Sequence, residues 1–378
     1  MFGKKLLLTL LTAAAVFTCS GNVTVQAKAA AAPAPALTDA NSWTMVIVPD
    51  IQTYIKQIEN HGILDMMLAW IVRRRAVMNI QQVLFTGDLV YSNDAAEVRQ
   101  ENGVRFFRTG KLRDLIAEEQ WKALSRLMER LDGELPYILC TGNHDYGYYS
   151  AENRNSFFND HFPTDSNPLT RRQLISCTTN DKGINTLENS AYEFTAPAPD
   201  GRKFLVITLR FAPTDKDLAW AKKVADNPRF ANHFGIVLTH SYLQAKGDRI
   251  EKENYVLNKE GGNPGEEIFR KLVHPAKNIR LVVCGHVSKP DSWEHSVGFS
   301  MAKNSDGKDV AQMVFNTQGI GGGFSGNGGD GWLRLLEFMP DRKTIKATTF
   351  SPFFFGSTST RRQAWKTDER NCFTFTLE

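Results

Sequence analysis

From Trp43 onward, short apolar runs alternate with amphipathic and polar stretches. Thr44 to Val48 is a near-continuous β-branched run stopped by Pro49-Asp50-Ile51-Gln52, the pattern of a strand buried on both faces. Helical spacing follows, with Ile63, Met66, Met67, Trp70 and Ile71 on one face and Arg73-Arg74-Arg75 at the end, where cations suit the helix dipole. Gln82 to Thr86 predicts a second strand closing on Gly87-Asp88, and the polar residues 92–112 predict an excursion over the site. Glu118 to Leu131 sets Trp121, Leu124, Leu127, Met128 and Leu131 at helical spacing, as a core-facing helix does. Tyr137 to Leu139 predicts a third strand, which delivers Cys140-Thr141-Gly142-Asn143-His144-Asp145.

Further strands are legible at Ala191 to Phe194, Phe204 to Thr208, Gly235 to Thr239 and Ile279 to Val283. A short helix is expected at Asn153 to Phe162, and another at Lys216 to Ala225, which contributes Leu218, Trp220 and Val224. After Met301 the pattern predicts strands without helices: Met313 to Phe315, Trp332 to Phe338, Thr344 to Thr349 and Phe373 to Leu377. An α/β chain of this order predicts two packed sheets with helices outside. Gly319 to Gly331 holds eight Gly in thirteen residues but lacks the strand-loop-helix setting and the Lys of a phosphate loop, so a mobile lid or a connector is expected.

The chain ends change this picture little. A basic start at Lys4-Lys5, an apolar run from Leu6 to Phe17 too short to span a bilayer, and Val25-Gln26-Ala27 describe a secretory signal over residues 1–27. Export to a periplasm or the exterior is therefore expected, and Cys19 matches a lipoprotein cleavage box only loosely because Thr18 precedes it. Residues 28–42, Ala- and Pro-rich, predict a disordered linker, leaving a single domain over residues 43–378. Loss of Lys4 and Lys5 would lower the formal charge from +4 to about +2, and no basic stripe interleaved with aromatics is present, so nucleic acid is not an expected partner. No second apolar segment is long enough to span a membrane, and no protein partner is predicted. Cys140 and Cys284 read as small buried thiols, and a Cys177–Cys372 disulfide rests on parity alone.

Five strand ends line up by type: Asp50-Ile51-Gln52, Gly87-Asp88, Gly142-Asn143-His144-Asp145, Thr239-His240 and Gly285-His286. Any one has a plainer reading as a polar turn or a core histidine. Together, at the carboxyl ends of strands where open α/β sheets hold ligands, they offer mixed oxygen and nitrogen donors suited to Zn, Mn or Fe.

This ordered set resembles the calcineurin-like metallophosphoesterase superfamily, in a secreted bacterial-type member, over Asp50 to Ser288. The resemblance implies a four-layer α/β/β/α sandwich with two divalent metal ions at the strand ends and a small phosphate-ester substrate. By position, Asp88 would bridge the ions, Asp50 and Gln52 would hold one, and Asn143, His240 and His286 the other. His144 would be the general acid, with Asp145 orienting or charge-stabilising it. Two such cations neutralise phosphoryl oxygens and yield a hydroxide nucleophile near neutral pH. The implied activity is hydrolysis of phosphomonoesters or phosphodiesters, and the alternative is a single-metal binding protein with little or no catalysis. Two departures fall on one ion: Gln52 stands for the family's His, and Ser288 for the second His of Gly-His-x-His, so that ion should be held less tightly. Tyr91, placed like the iron-ligating Tyr of purple acid phosphatases, and His295 are the other residues offered for that place.

Overall fold

The computed structural model describes residues 18–19, 23–24, 33–94, 98–101, 104–107, 114–180 and 182–378. Two compact units divide at Pro33 and Ala34. In the first, Thr18–Cys19 pairs antiparallel with Val23–Thr24. Apart from those four residues, the expected signal, its cleavage point at Ala27 and the stretch to residue 32 lie outside the described residues. The expected linker, however, is tied down before residue 42. Thr38 donates from its backbone N at 2.5 Å and its Oγ1 at 2.7 Å to Glu337, and Ser42 Oγ donates to the same carboxylate at 2.5 Å. The folded unit thus begins upstream of Trp43.

The second unit is built on two seven-stranded sheets. In chain order its strands are β1 (Trp43–Val48), β2 (Ile80–Phe85), β3 (Tyr137–Leu139), β4 (Leu174–Thr179), β5 (Asn185–Thr195), β6 (Lys203–Leu209), β7 (Phe234–Thr239), β8 (Ile279–Cys284), β9 (Val297–Lys303), β10 (Asp309–Phe315), β11 (Leu333–Phe338), β12 (Thr344–Phe350), β13 (Trp365–Lys366) and β14 (Phe373–Thr376). The first sheet runs β13-β12-β11-β1-β2-β3, with β14 also on β12, and the second β9-β10-β8-β7-β6-β5-β4. Strands β1, β2 and β3 are parallel, with Val48 opposite Phe85 and Phe85 opposite Leu139. Strands β6, β7, β8 and β10 are parallel as well.

Burial on both faces explains the unbroken apolar runs. In β1, Trp43, Met45 and Ile47 enter the core between the sheets, while Val46 and Val48 enter the core under the helices. That outer core is covered by α2 (His61–Arg74) and α3 (Ala117–Met128), the former preceded by the short α1 (Gln52–Lys56). On the second sheet, α4 (Asp215–Ala225) buries Leu218, Ala221 and Ala225. The order helix, sheet, sheet, helix is the expected four-layer sandwich. Along α2 the buried stripe is Ile63, Leu64, Met67, Leu68 and Ile71, and Met66 is exposed rather than buried, because it lies round the helix from the others.

Other differences follow from weak local signals. Edge strands β4 and β9 carry polar residues on half-exposed faces, which hides them from an apolar-run criterion. The helix expected at Asn153 to Phe162 is only Phe158–His161. In the excursion, Val98–Glu101 pairs with Val104–Phe107, and residues 95–97, 102–103 and 108–113 lie outside the description. The glycine-rich stretch is a connector from β10 to β11, pinned where Gly331 N donates to Tyr54 Oη at 2.9 Å and Gly321 and Gly322 donate to Asp291. All four cysteines after Cys19 are free thiols: Cys177 sits on edge strand β4 of one sheet and Cys372 just before β14 of the other, so the disulfide does not form. Among the described residues, no helix is long and apolar enough to cross a membrane.

Trp43 joins the two sheets. Its ring stacks on Phe338 at 4.2 Å, meets Phe204 edge-on at 5.1 Å, and its Nε1 donates to Asp200 at 2.8 Å. Trp43→Ala should therefore cost about 3–5 kcal/mol, seen as a lower urea midpoint. A loss below about 1 kcal/mol would contradict this account of the inter-sheet core.

Candidate metal centre

The two parallel runs end at one edge, so their C-terminal loops converge. Asp88 follows β2 and is buried with φ at +47°, a left-handed conformation uncommon for a residue with a Cβ. Gly142, after β3, allows this turn to close, since a Cβ there would lie 2.1 Å from Asp88 Oδ1. His144 N then donates to Asp88 Oδ1 at 3.0 Å, and Gln52 Nε2 donates to Oδ2 at 2.9 Å.

Four acceptor atoms, Asp88 Oδ1 among them, point at one another. His240 Nδ1 lies 2.8 Å from the Thr86 carbonyl, which can only accept, so Nδ1 carries the proton and Nε2 presents a lone pair. That Nε2 lies 3.1 Å from Asn143 Oδ1, 3.1 Å from His286 Nδ1 and 3.3 Å from Asp88 Oδ1. His286 Nε2 faces Glu253 Oε1 at 3.3 Å, which leaves Nδ1 as its acceptor, and Ser241 Oγ donates to the same Glu253 carboxylate. Asn143 is oriented by its Nδ2 donating to Ser150 Oγ at 2.8 Å. Lone pairs do not crowd together unless a cation or a proton lies among them. Burial disfavours a charged His240, but Asp88 and Asp50 outweigh it and lift its pKa to about 10. Burial likewise pushes against Asp88, yet His240 and His144 hold it below the ordinary carboxylate range. Phe211 and Tyr255 flank His286 at 6.0 and 5.9 Å. Among the described residues, Asp88, His240 and His286 form a group of ligand atoms within 4.8 Å of one another. With Asn143 they make a mixed nitrogen and oxygen set that fits a divalent transition metal.

Asp50 and Gln52 lie beside this cradle but are differently engaged. Asp50 Oδ1 accepts from Thr86 Oγ1 at 2.7 Å, and Oδ2 from His286 N at 2.9 Å, Asn316 Nδ2 at 2.6 Å and Gln318 Nε2 at 3.4 Å. Burial raises its pKa to about 6, with His240 opposing and Asp88 assisting. A Cβ on Gly285 would meet Asp50 Oδ1 at 2.0 Å, so only glycine lets β8 end here.

His144 Nδ1 donates to the Tyr91 carbonyl at 2.7 Å, which leaves Nε2 as its working atom. Asp145 does not touch this imidazole. It accepts from the backbone N of Leu89, Val90 and Gly142 at 2.8, 3.0 and 2.7 Å, and so ties the Asp88 turn to the Asn143 turn. The Tyr91 carbonyl, not Asp145, meets the His144 ring, because Asp145 lies behind the turn and takes its backbone N–H groups. The Tyr91 ring stacks on His144 at 5.3 Å and its hydroxyl accepts from Tyr149 at 2.7 Å. Ser288 Oγ is bonded to Ser296 Oγ at 3.0 Å, and His295 Nδ1 to Ser292 Oγ at 2.8 Å. Sequence reasoning missed Glu253, Asn316 and Gln318. The last two follow the apolar run Met313-Val314-Phe315, the same strand-end signature as the other five, whereas Glu253 sits in a polar loop with no spacing signal.

Comparison with known proteins places the chain in a family. A sequence model described as calcineurin-like phosphoesterase matches residues 45–290. A relative from Bacillus subtilis (strain 168), Uncharacterized protein YvnB, is 26% identical over 322 residues, which cover 82% of this chain and 20% of the relative. The chain thus spans about a fifth of that relative's length. Similar solved structures include purple acid phosphatase PPD1 from yellow lupin (Lupinus luteus) seeds, with a TM-score of 0.46 and 14% identity over 90% of this chain and 55% of that one. A dimetal phosphatase from Danio rerio has a TM-score of 0.46 and 12% identity over 89% of this chain and 99% of that one.

Because Glu253 fixes the His286 tautomer, Glu253→Gln should weaken divalent-ion affinity about 10- to 100-fold, measured by calorimetry. Unchanged affinity would mean that His286 does not ligate through Nδ1.

Proposed function

Because this chain belongs to the calcineurin-like phosphoesterase family, we propose that it hydrolyses phosphomonoesters or phosphodiesters with a divalent ion held by Asp88, Asn143, His240 and His286. The observation that carries this reading is the convergence of His240 Nε2, His286 Nδ1, Asn143 Oδ1 and Asp88 Oδ1. An ion bound there supplies positive charge for phosphoryl oxygens and lowers the pKa of water.

The chain's own residues do the rest. His144 Nε2 holds the proton that the departing alcohol oxygen needs, since Nδ1 is committed to the Tyr91 carbonyl. The His144 backbone N on Asp88 Oδ1 joins the acid to the ligand turn, so acid and ion keep one spacing. Tyr91 and Tyr149 flank the imidazole at 5.3 and 5.5 Å and limit its rotation. The neighbouring Asp145 holds the same turn through three backbone N–H groups. Export of the mature protein, expected from the leader, would place this activity outside the cytoplasm.

A general acid matters most when the leaving group is poor. His144→Ala should lower kcat by about 10²- to 10⁴-fold on an alkyl phosphate. On para-nitrophenyl phosphate or its bis-ester, whose leaving group departs unprotonated, the loss should be much smaller. Equal losses on both would remove the acid role. No turnover of any ester by metal-loaded wild type would favour the alternative, a non-catalytic metal binder, which the commitment of Gln52 Nε2 to Asp88 would suit.

A further inference from the structure

We propose that this centre holds one ion rather than two, and that amide N–H groups occupy the place of the other. The inference rests on the family reading above and concerns Asp50, Gln52, Asn316, Gln318 and Ser288.

A second ion would need Asp50, Gln52, the far oxygen of Asp88 and the residue at position 288. All but the Gln52 carbonyl oxygen are already used. Asp50 has about four lone-pair sites, and four donors meet it: Thr86 Oγ1, His286 N, Asn316 Nδ2 and, at 3.4 Å, Gln318 Nε2. Asp88 Oδ2, the oxygen turned from His240, accepts Gln52 Nε2 at 2.9 Å. Ser288 Oγ is paired with Ser296 Oγ at 3.0 Å. The Gln52 carbonyl oxygen is buried with no hydrogen-bond partner. One free amide oxygen falls short of the three or more protein ligands that a tightly bound transition metal takes.

The chemistry is self-consistent. An ion between Asp50 and Asp88 would compensate two buried carboxylates. Here the compensation comes instead from oriented N–H and O–H groups, which cost less desolvation than a cation and cannot be lost by dissociation. The Gln52 side chain is the clearest substitution. An imidazole there would present a lone pair to an ion, whereas the amide presents a hydrogen to the carboxylate that an ion would share.

The test uses the full chain loaded with Mn, dialysed, and read by elemental analysis and electron paramagnetic resonance. One Mn per chain with the spectrum of an isolated ion is expected. Two retained Mn per chain, or an exchange-coupled spectrum, would overturn the proposal. Gln52→Ala should leave the count at one, while His240→Ala should take it to zero. A count that falls with Gln52→Ala would show that Gln52 ligates and would also overturn it. Gln52→His combined with Ser288→His should raise the count to two, and if that variant does not fold, the wild-type count still decides. A chain that retains one ion but hydrolyses no ester would support the ion count while sinking the hydrolase reading.

Discussion

A carboxylate buried at a strand end sets the terms for everything around it. Asp88 sits in a left-handed turn with almost no contact with solvent, and its charge has to be met by protein groups or by a cation. Gly142 lets its turn close, the Asp145 carboxylate ties that turn to the next, and His144 and Gln52 each give it a hydrogen. What remains on its open side is a ring of acceptors from both sheets. The two-sheet sandwich brings the ends of β2 and β3 within reach of those of β7 and β8, and Trp43 packs between the sheets.

The site therefore divides by chemistry. On the His240 side, lone pairs converge and call for a positive charge. On the Asp50 side, donors converge and need none. Both halves satisfy the same requirement, that no buried carboxylate stays uncompensated, by different means. His144 stands beside the first half, attached to it through backbone alone, so its imidazole is positioned without taking a ligand's place.

Most of this was legible in the sequence. Strands buried on both faces announce themselves as unbroken apolar runs, and Asp88, Asn143, His240 and His286 each follow one. Pattern reading failed where the physics is not local. Half-exposed edge strands such as Leu174–Thr179 carry no apolar run, and Met66 needed the true direction of the helix to be placed outside. The contacts of Asp145 depend on which backbone N–H groups lie behind its turn, and those of Gln52 on which end of an amide faces Asp88. Neither orientation is encoded in spacing. Glu253 reaches His286 from a loop whose sequence gives no hint of it.

The central claim is that one cation belongs among Asp88, Asn143, His240 and His286. Anomalous scattering from crystals of the Mn-loaded protein tests it most directly. The account predicts a single peak within bonding distance of those four side chains and none between Asp50 and Gln52. A peak absent from the first position, or a second of equal height at the other, would contradict it.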